Sequence, residues 1–250
     1  MRVDLPPTGD IALVVTGALA AGFVNGLSGT GYALVSLGFW LHAMSPITAA
    51  PLVAFCSVCG HVQSLPKIWQ GVIWSRVWPF LAGGLIGVPL GTALLSHVEV
   101  KPLKVGVGLL LVFYCAWMAC VRRPPVILAG GRLADATAGF GGGLLGGMAS
   151  ISGPIPVIWT QLRGWNMLAQ RGINQPFNMS VLAFSLVTAA IAGFLDQIFL
   201  LWAVICLPIT LIGAHVGLRL YGRINDTQFR RIILALLGLS GVTLIATSLT

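Results

Sequence analysis

The chain has 250 residues, 57% of them hydrophobic and 8% charged, with a mean hydropathy of +0.94 and a formal net charge of +8. A water-soluble domain carries roughly 25% charged residues, so this composition excludes one and makes lipid the solvent for most of the surface. The fourteen Lys and Arg fall in short clusters between apolar runs, the pattern of cytoplasmic loops and not of a nucleic-acid surface.

The first ten residues carry Asp4, Pro6, Pro7 and Asp10 where a signal peptide would have a basic n-region, so no removable leader is expected. An apolar stretch then runs over 11–43, too long for one straight span at about 1.5 Å per residue. It is interrupted by "NGLSGTGYAL" at 25–34. Single spans follow at 47–66, 77–96 and 103–121, each near the roughly 20 residues that a bilayer requires. A second long stretch, 133–162, is again broken by glycine, and spans at 174–195, 198–218 and 232–249 complete the chain.

The second series repeats the first. "GLSGTGYALVSLGFWLHAMSPITAA" aligns with "MASISGPIPVIWTQLRGWNMLAQR", placing Gly31 opposite Gly153 and Ser45 opposite Asn166. Gly71 pairs with Gly193, and the G-x-x-x-G of Gly87 and Gly91 pairs with that of Gly213 and Gly217. The small drift in offset predicts an internal duplication with halves 1–125 and 126–250, the ground plan of many secondary transporters.

Charge then sets topology. If each long stretch supplies two segments, as short helices or a re-entrant hairpin, one side collects Lys67, Arg76, Arg122, Arg123, Arg132, Arg163, Arg171, Arg219, Arg223, Arg230 and Arg231. The other side keeps Arg2, Lys101 and Lys104. That bias orients the chain with its basic side in the cytoplasm and both termini outside. Five segments per half is an odd number, so the second half is inverted relative to the first. The expected fold is an all-α integral membrane protein, a polytopic bundle of two inverted repeats with roughly 8 to 10 membrane segments.

Backbone that leaves the helix inside lipid exposes N–H and C=O groups costing several kcal/mol each, so the breaks survive only where protein or a polar cavity satisfies them. Asn25, Ser28 and Thr30 in one half, with Ser150 and Ser152 in the other, are expected to interrupt two helices near mid-membrane. Gly29, Gly31, Gly147 and Gly153 would allow close backbone approach. The amides freed at half-helix N-termini, with the helix dipole, would bind an anion. The stripes Gly22/Gly26, Gly87/Gly91 and Gly213/Gly217 are read as packing surfaces. "GTG" is not a phosphate loop, because no strand precedes it and no Lys follows.

Further polar residues at that depth are His61 and Gln63, and then Arg171, Asn174, Gln175 and Asn178 on the polar face of "RGINQPFN". Arg171 presents a fixed fork suited to oxyanions. Trp159 and Trp165 lie close enough to the second break to line the cavity. His42, His97 and His215 and the remaining tryptophans fall near span ends, where aromatic belts and snorkelling account for them. All five cysteines lie in apolar runs. The Cys56/Cys59 spacing therefore reads as helix packing, with no metal or cofactor expected.

These residues resemble the TauE/SafE family of sulfite and organosulfonate exporters. The likeness is carried by the glycine-rich opening of each half, "GFVNGLSGTG" and "GFGGGLLGGMASISGP", and by "MSPITAA" at the start of the next helix, and it covers nearly the whole chain. Family members commonly show a run of glycines at the first break, which Thr30 and Tyr32 interrupt here. The resemblance implies a carrier of small sulfur-containing anions, such as sulfite or sulfoacetate, in the cytoplasmic membrane of a prokaryote; a homodimer is a possible assembly that the sequence does not decide.

The six acids, Asp4, Asp10, Glu99, Asp135, Asp196 and Asp226, all avoid mid-span positions, so the carboxylate relay of a proton pump is absent. An anion leaving an inside-negative cell needs none: about 2.3 kcal/mol per charge per 100 mV supports about fiftyfold outward accumulation. A passive or weakly coupled exporter follows, with His61 as the proton-carrying residue within a span. The runner-up is an importer of a small organic or inorganic anion on the same fold, since sequence settles architecture and not direction. An enzyme would need a nucleophile with its base or paired carboxylates, which are missing at any suitable spacing. An assembly subunit would not need repeated polar breaks.

Overall fold

The computed structural model describes residues 8–95, 97, 100–120, 126–127, 129–220 and a few single positions beyond 220. The span expected at 232–249 lies, apart from those positions, outside the described residues, as do Arg2, Arg122, Arg123, Arg223, Arg230 and Arg231. The described chain is helical: α1 (Thr8–Ser28), α2 (Tyr32–Ala43), α3 (Pro46–Ile68), α4 (Trp74–Leu95), α5 (Val100–Cys120), α6 (Gly131–Ala149), α7 (Pro154–Leu162), α8 (Met167–Ile191) and α9 (Gln197–Leu220). By length and apolarity α1, α3, α4 and α9 can cross a membrane. α8 has 25 residues but carries Arg171, Asn174, Gln175 and Asn178, which lower its hydropathy.

Local chemistry sets the boundaries. α1 stops where Gly29 adopts φ 72°, and α2 starts from Gly31 at φ 87°, a left-handed geometry that costs an L side chain about 1–2 kcal/mol. α3 and α8 start on matching caps. The Ser45 hydroxyl accepts from Thr48 N–H at 3.4 Å, with Pro46 at the first helical position, and the Asn166 amide oxygen accepts from Ala169 N–H at 2.9 Å.

Both long stretches are helical hairpins. α2 folds back along α1, with Trp40 Nε1 donating to the Val14 carbonyl at 3.0 Å. α7 folds back along α6, with Trp159 Nε1 donating to Asp135 Oδ1 at 2.7 Å. The alternative between a hairpin and two short spans is thus settled as one long helix and one short returning helix, 21 and 12 residues in the first case, 19 and 9 in the second.

The helix pairs then cross over. α1 lies parallel to α9, where a Cβ on Gly22 or Gly26 would strike the backbone of Thr210 or Ala214, and one on Gly213 or Gly217 the backbone of α1. α6 lies parallel to α4 in the same manner, with Gly83, Gly87 and Gly91 against Ala136, Phe140 and Leu144. Main chain on main chain is the contact that lipid cannot replace, because apolar side chains gain little by leaving hydrocarbon. α3 and α8 run antiparallel through the middle, as the Ser64–Gln175 hydrogen bond and the Gly71–Leu168 contact require. Arg76, Arg132, Arg163, Arg171 and Arg219 therefore share one end of the bundle, and Lys101, opening α5, lies at the other.

Candidate anion site

At the first tip the polar groups of "NGLSGTG" divide into two sets. The Ser28 hydroxyl lies 2.8 Å from the Val24 carbonyl and 2.6 Å from that of Thr30, and accepts from Thr30 N–H at 3.2 Å, so it serves its own turn. Asn25 is still in the last turn of α1 and fully buried, and neither its amide oxygen nor its amide nitrogen has a hydrogen-bond partner among the described residues. Gly60 of α3 makes room for it: a Cβ there would sit 2.7 Å from Asn25 Nδ2.

At the second tip Ser150 takes φ 57°, and its hydroxyl donates to the Ala50 carbonyl of α3 at 2.6 Å. Ser152 donates to Asn178 Oδ1 of α8 at 2.9 Å. Gly153 precedes α7, whose first residues include Pro154 and Pro156.

The tips face each other across one cavity. Asn25, Thr30, Gly31, Ser152, Gly153 and Asn178 line it, together with Ser57 and His61 of α3 and Tyr114 of α5. The first turn of α2, Tyr32 to Leu34, also lies in its wall. Those amides have no partner inside their own helix, because Val35 N–H is the first to reach back, bonding the Gly31 carbonyl at 3.2 Å. The positive end of the α2 dipole therefore points at the cavity, and the N-terminus of α7 reaches it from the other side. His61 is 1% exposed, and its Nδ1 has no hydrogen-bond partner among the described residues. The cavity volume open to the centre of a water molecule is about 20 Å³, space for one or two waters. An oxyanion of four or more atoms needs the walls to part.

The whole chain from residue 14 to residue 244 matches the family model described as Sulfite exporter TauE/SafE. The chain belongs to the TauE/SafE family. Membership makes it a multi-pass membrane transporter of sulfur-containing anions, not an enzyme. Neither the curated proteins nor the solved structures compared with it include a match.

In this TauE/SafE protein several polar residues expected in the site stand beside the cavity. Arg171 Nε donates to Gln175 Oε1 at 3.3 Å, Gln175 donates to Ser64, and both side chains pack against Gly29, where a Cβ would meet Gln175 Oε1 at 2.6 Å and Arg171 Nε at 3.0 Å. They back the first tip from the basic end of the bundle. Asn174 donates to Thr160 of α7 at 3.0 Å. Gln63 lies 3.5 Å from His215 of α9 (Nε2 to Nδ1) and is absent from the wall. Gly147 instead packs on α4, where a Cβ would strike the Val88 carbonyl.

Trp159 and Trp165 do not line the cavity as expected. The return of α7 along α6 carries them to the basic end, where Trp159 bonds Asp135 and Trp165 stacks with Arg76 and Arg163. Ser57, Tyr32 and Tyr114 are wall residues that sequence reasoning passed over. The repeat held a signal for the first, since the offset that pairs Ser45 with Asn166 also pairs Ser57 with Asn178.

Proposed function

We propose that this chain exports small sulfur oxyanions or sulfonates, such as sulfite or sulfoacetate, across the cytoplasmic membrane of a prokaryote by alternating access around the cavity between the hairpin tips. The observation that carries this reading is the Asn25 amide, buried without a partner among the described residues in a cavity walled by the first turn of α2. Leaving a buried amide unsatisfied costs about 1–3 kcal/mol. A ligand accepting from Asn25 Nδ2, the α2 amides and the hydroxyl of Thr30 or Ser57 removes that cost at the amide nitrogen. All of these are hydrogen-bond donors, the complement of an oxyanion, and the dipoles of two helices supply positive potential without a fixed cation in the wall.

The two halves are read as inverted copies. The order of long helix, break, short helix and two long helices occurs twice, and the pairings are reciprocal, α1 on α9 and α6 on α4. Each hairpin with its glycine-seam partner would then move as one body against α3 and α8 and open the cavity to each side in turn. Arg171 and Gln175 beside the first tip give the basic end a polar approach, and the matching approach above the second tip offers the Ala50 carbonyl. That asymmetry favours loading from the basic, cytoplasmic end, hence export. His61 in the wall is the group that could carry a proton with the anion.

The test is flux from proteoliposomes loaded with sulfite. An inside-negative potential is expected to speed efflux, by at most the factor set by about 2.3 kcal/mol per charge per 100 mV. Efflux indifferent to the imposed potential contradicts passive export. Uptake against that potential would make the chain an importer.

A further inference from the structure

A second polar recess lies at the basic end of the bundle, apart from the cavity between the tips. It is a basin of about 350 Å³ walled by Arg76 at the start of α4, Arg132 and Asp135 in the first turns of α6, Arg163 at the end of α7 and Trp165. The groups around it are fixed in place. Arg163 Nε pairs with Asp135 Oδ1 at 3.2 Å and Nη2 with Oδ2 at 3.3 Å, while Trp159 holds the same carboxylate at 2.7 Å. The Arg163 guanidinium also donates to the carbonyls of Ala129 and Gly131 at 3.5 and 3.3 Å, and it lies over the rings of Trp159 and Trp165.

Asp135 is thus matched by Arg163, and Arg163–Asp135 is the only ion pair among the described residues. Neither Arg76 nor Arg132 is ion-paired among the described residues, and both are exposed. Arg76 sits over Trp165, its Cζ 4.9 Å from the ring centroid. The basin also receives the N-terminus of α6, which starts from Gly130 without a side-chain cap. Two arginines and an uncapped helix N-terminus surround a space large enough for one phosphate group.

The setting says which anion comes. Trp74 and Trp78, flanking Arg76 on α4, are 45% and 61% exposed, and Trp69 just before them is 56% exposed. Tryptophans so exposed on a spanning bundle mark the headgroup level of the bilayer. Arg76 lies between these tryptophans along α4, so the basin it lines stands at the depth of the lipid phosphates. We infer that this basin seats the phosphate of an anionic phospholipid, held between Arg76 and Arg132 with the N-terminus of α6 beneath it. Anionic lipid would clamp the start of α4 to the hairpin α6–α7. This inference does not rest on the transported substrate.

The experiment uses the purified full chain in detergent, titrated with phosphatidylglycerol or with phosphatidylcholine of the same acyl chains, with thermal unfolding as readout. Phosphatidylglycerol is expected to raise the midpoint and phosphatidylcholine not to. At about 1 kcal/mol per basic residue near a surface, R76Q/R132Q should need about thirtyfold more phosphatidylglycerol for the same shift, and R76Q alone about fivefold. R219Q, which removes a charge at the same end of the bundle outside the basin, should leave the titration unchanged. Equal protection by both lipids, or an R219Q effect as large as that of R76Q, overturns the proposal. So does protection by inorganic sulfate that matches phosphatidylglycerol and is lost in R76Q/R132Q, which would make the basin a site for free anions.

Discussion

At the first hairpin tip the chain turns through Gly29 and Gly31, both at positive φ, and α2 then begins with the amides of Tyr32, Ala33 and Leu34 in the cavity wall. At the second tip it turns through Ser150, and α7 begins with Pro154 and Pro156, each of which removes a main-chain donor. A cation, Arg171, stands behind the first tip, and a backbone carbonyl, that of Ala50, behind the second. The outline of a broken hairpin recurs, but its chemistry does not. The first tip is built to meet negative charge, and the second is tied to its neighbours by neutral hydrogen bonds that hold it in position.

That contrast can be broken at the first tip with the largest effects. Asn25→Leu removes an amide that no group among the described residues satisfies. Sulfite flux in vesicles should fall about a hundredfold, the upper range for a hydrogen bond to a charged group, while the thermal midpoint in detergent holds or rises. A midpoint that falls along with flux would show that Asn25 is a structural residue and remove the basis of the site. Arg171→Gln should lower flux about tenfold at low substrate, and Arg171→Lys should recover only part of it, because an ammonium lacks the planar fork that reaches both Gln175 and the tip. Full recovery by Lys would reduce its role to charge alone.

The second tip should respond less. Ser152→Ala leaves Asn178 Oδ1 without its donor, and a loss of about 1 kcal/mol predicts about a fivefold fall in flux. A drop as large as that of Asn25→Leu would make the two tips equal partners in binding. Ser150→Gly exchanges a hydrogen bond of about 1 kcal/mol for relief of a left-handed strain of about the same size. Neither flux nor thermal midpoint should change measurably, and a clear loss would show that the Ser150–Ala50 bond outweighs the strain relieved.

Much of this was legible in the order of residues. Solvent and span length follow from hydropathy, and breaks at 25–31 and 150–154 follow from glycine, serine and proline placed where a helix in lipid cannot tolerate them. The unwound backbone proved shorter than the first polar run, three residues from Gly29 to Gly31, so Asn25 acts from within a helix. Polarity alone did not separate Ser28, which caps its own turn, from Thr30, which faces the cavity. Nor did it separate Gln63, which meets His215 on α9, from His61 two positions earlier, because a shift of two residues turns a side chain by about 200° around the helix. Trp159 and Trp165 were misplaced for a related reason. Closeness in sequence to a break says little about distance from it once α7 turns back and carries its far end to the membrane boundary.

By itself the sequence determined that the chain lives in lipid and where its helices must stop. These are local consequences of hydrocarbon having nothing to offer a bare amide. The tertiary structure alone decided which helices share a glycine seam, that the short helices turn back, and that the two tips come to one cavity with the Asn25 amide inside it. Those outcomes depend on contacts between residues from tens to well over a hundred positions apart, and the spacing of apolar residues along one helix carries no information about its partner.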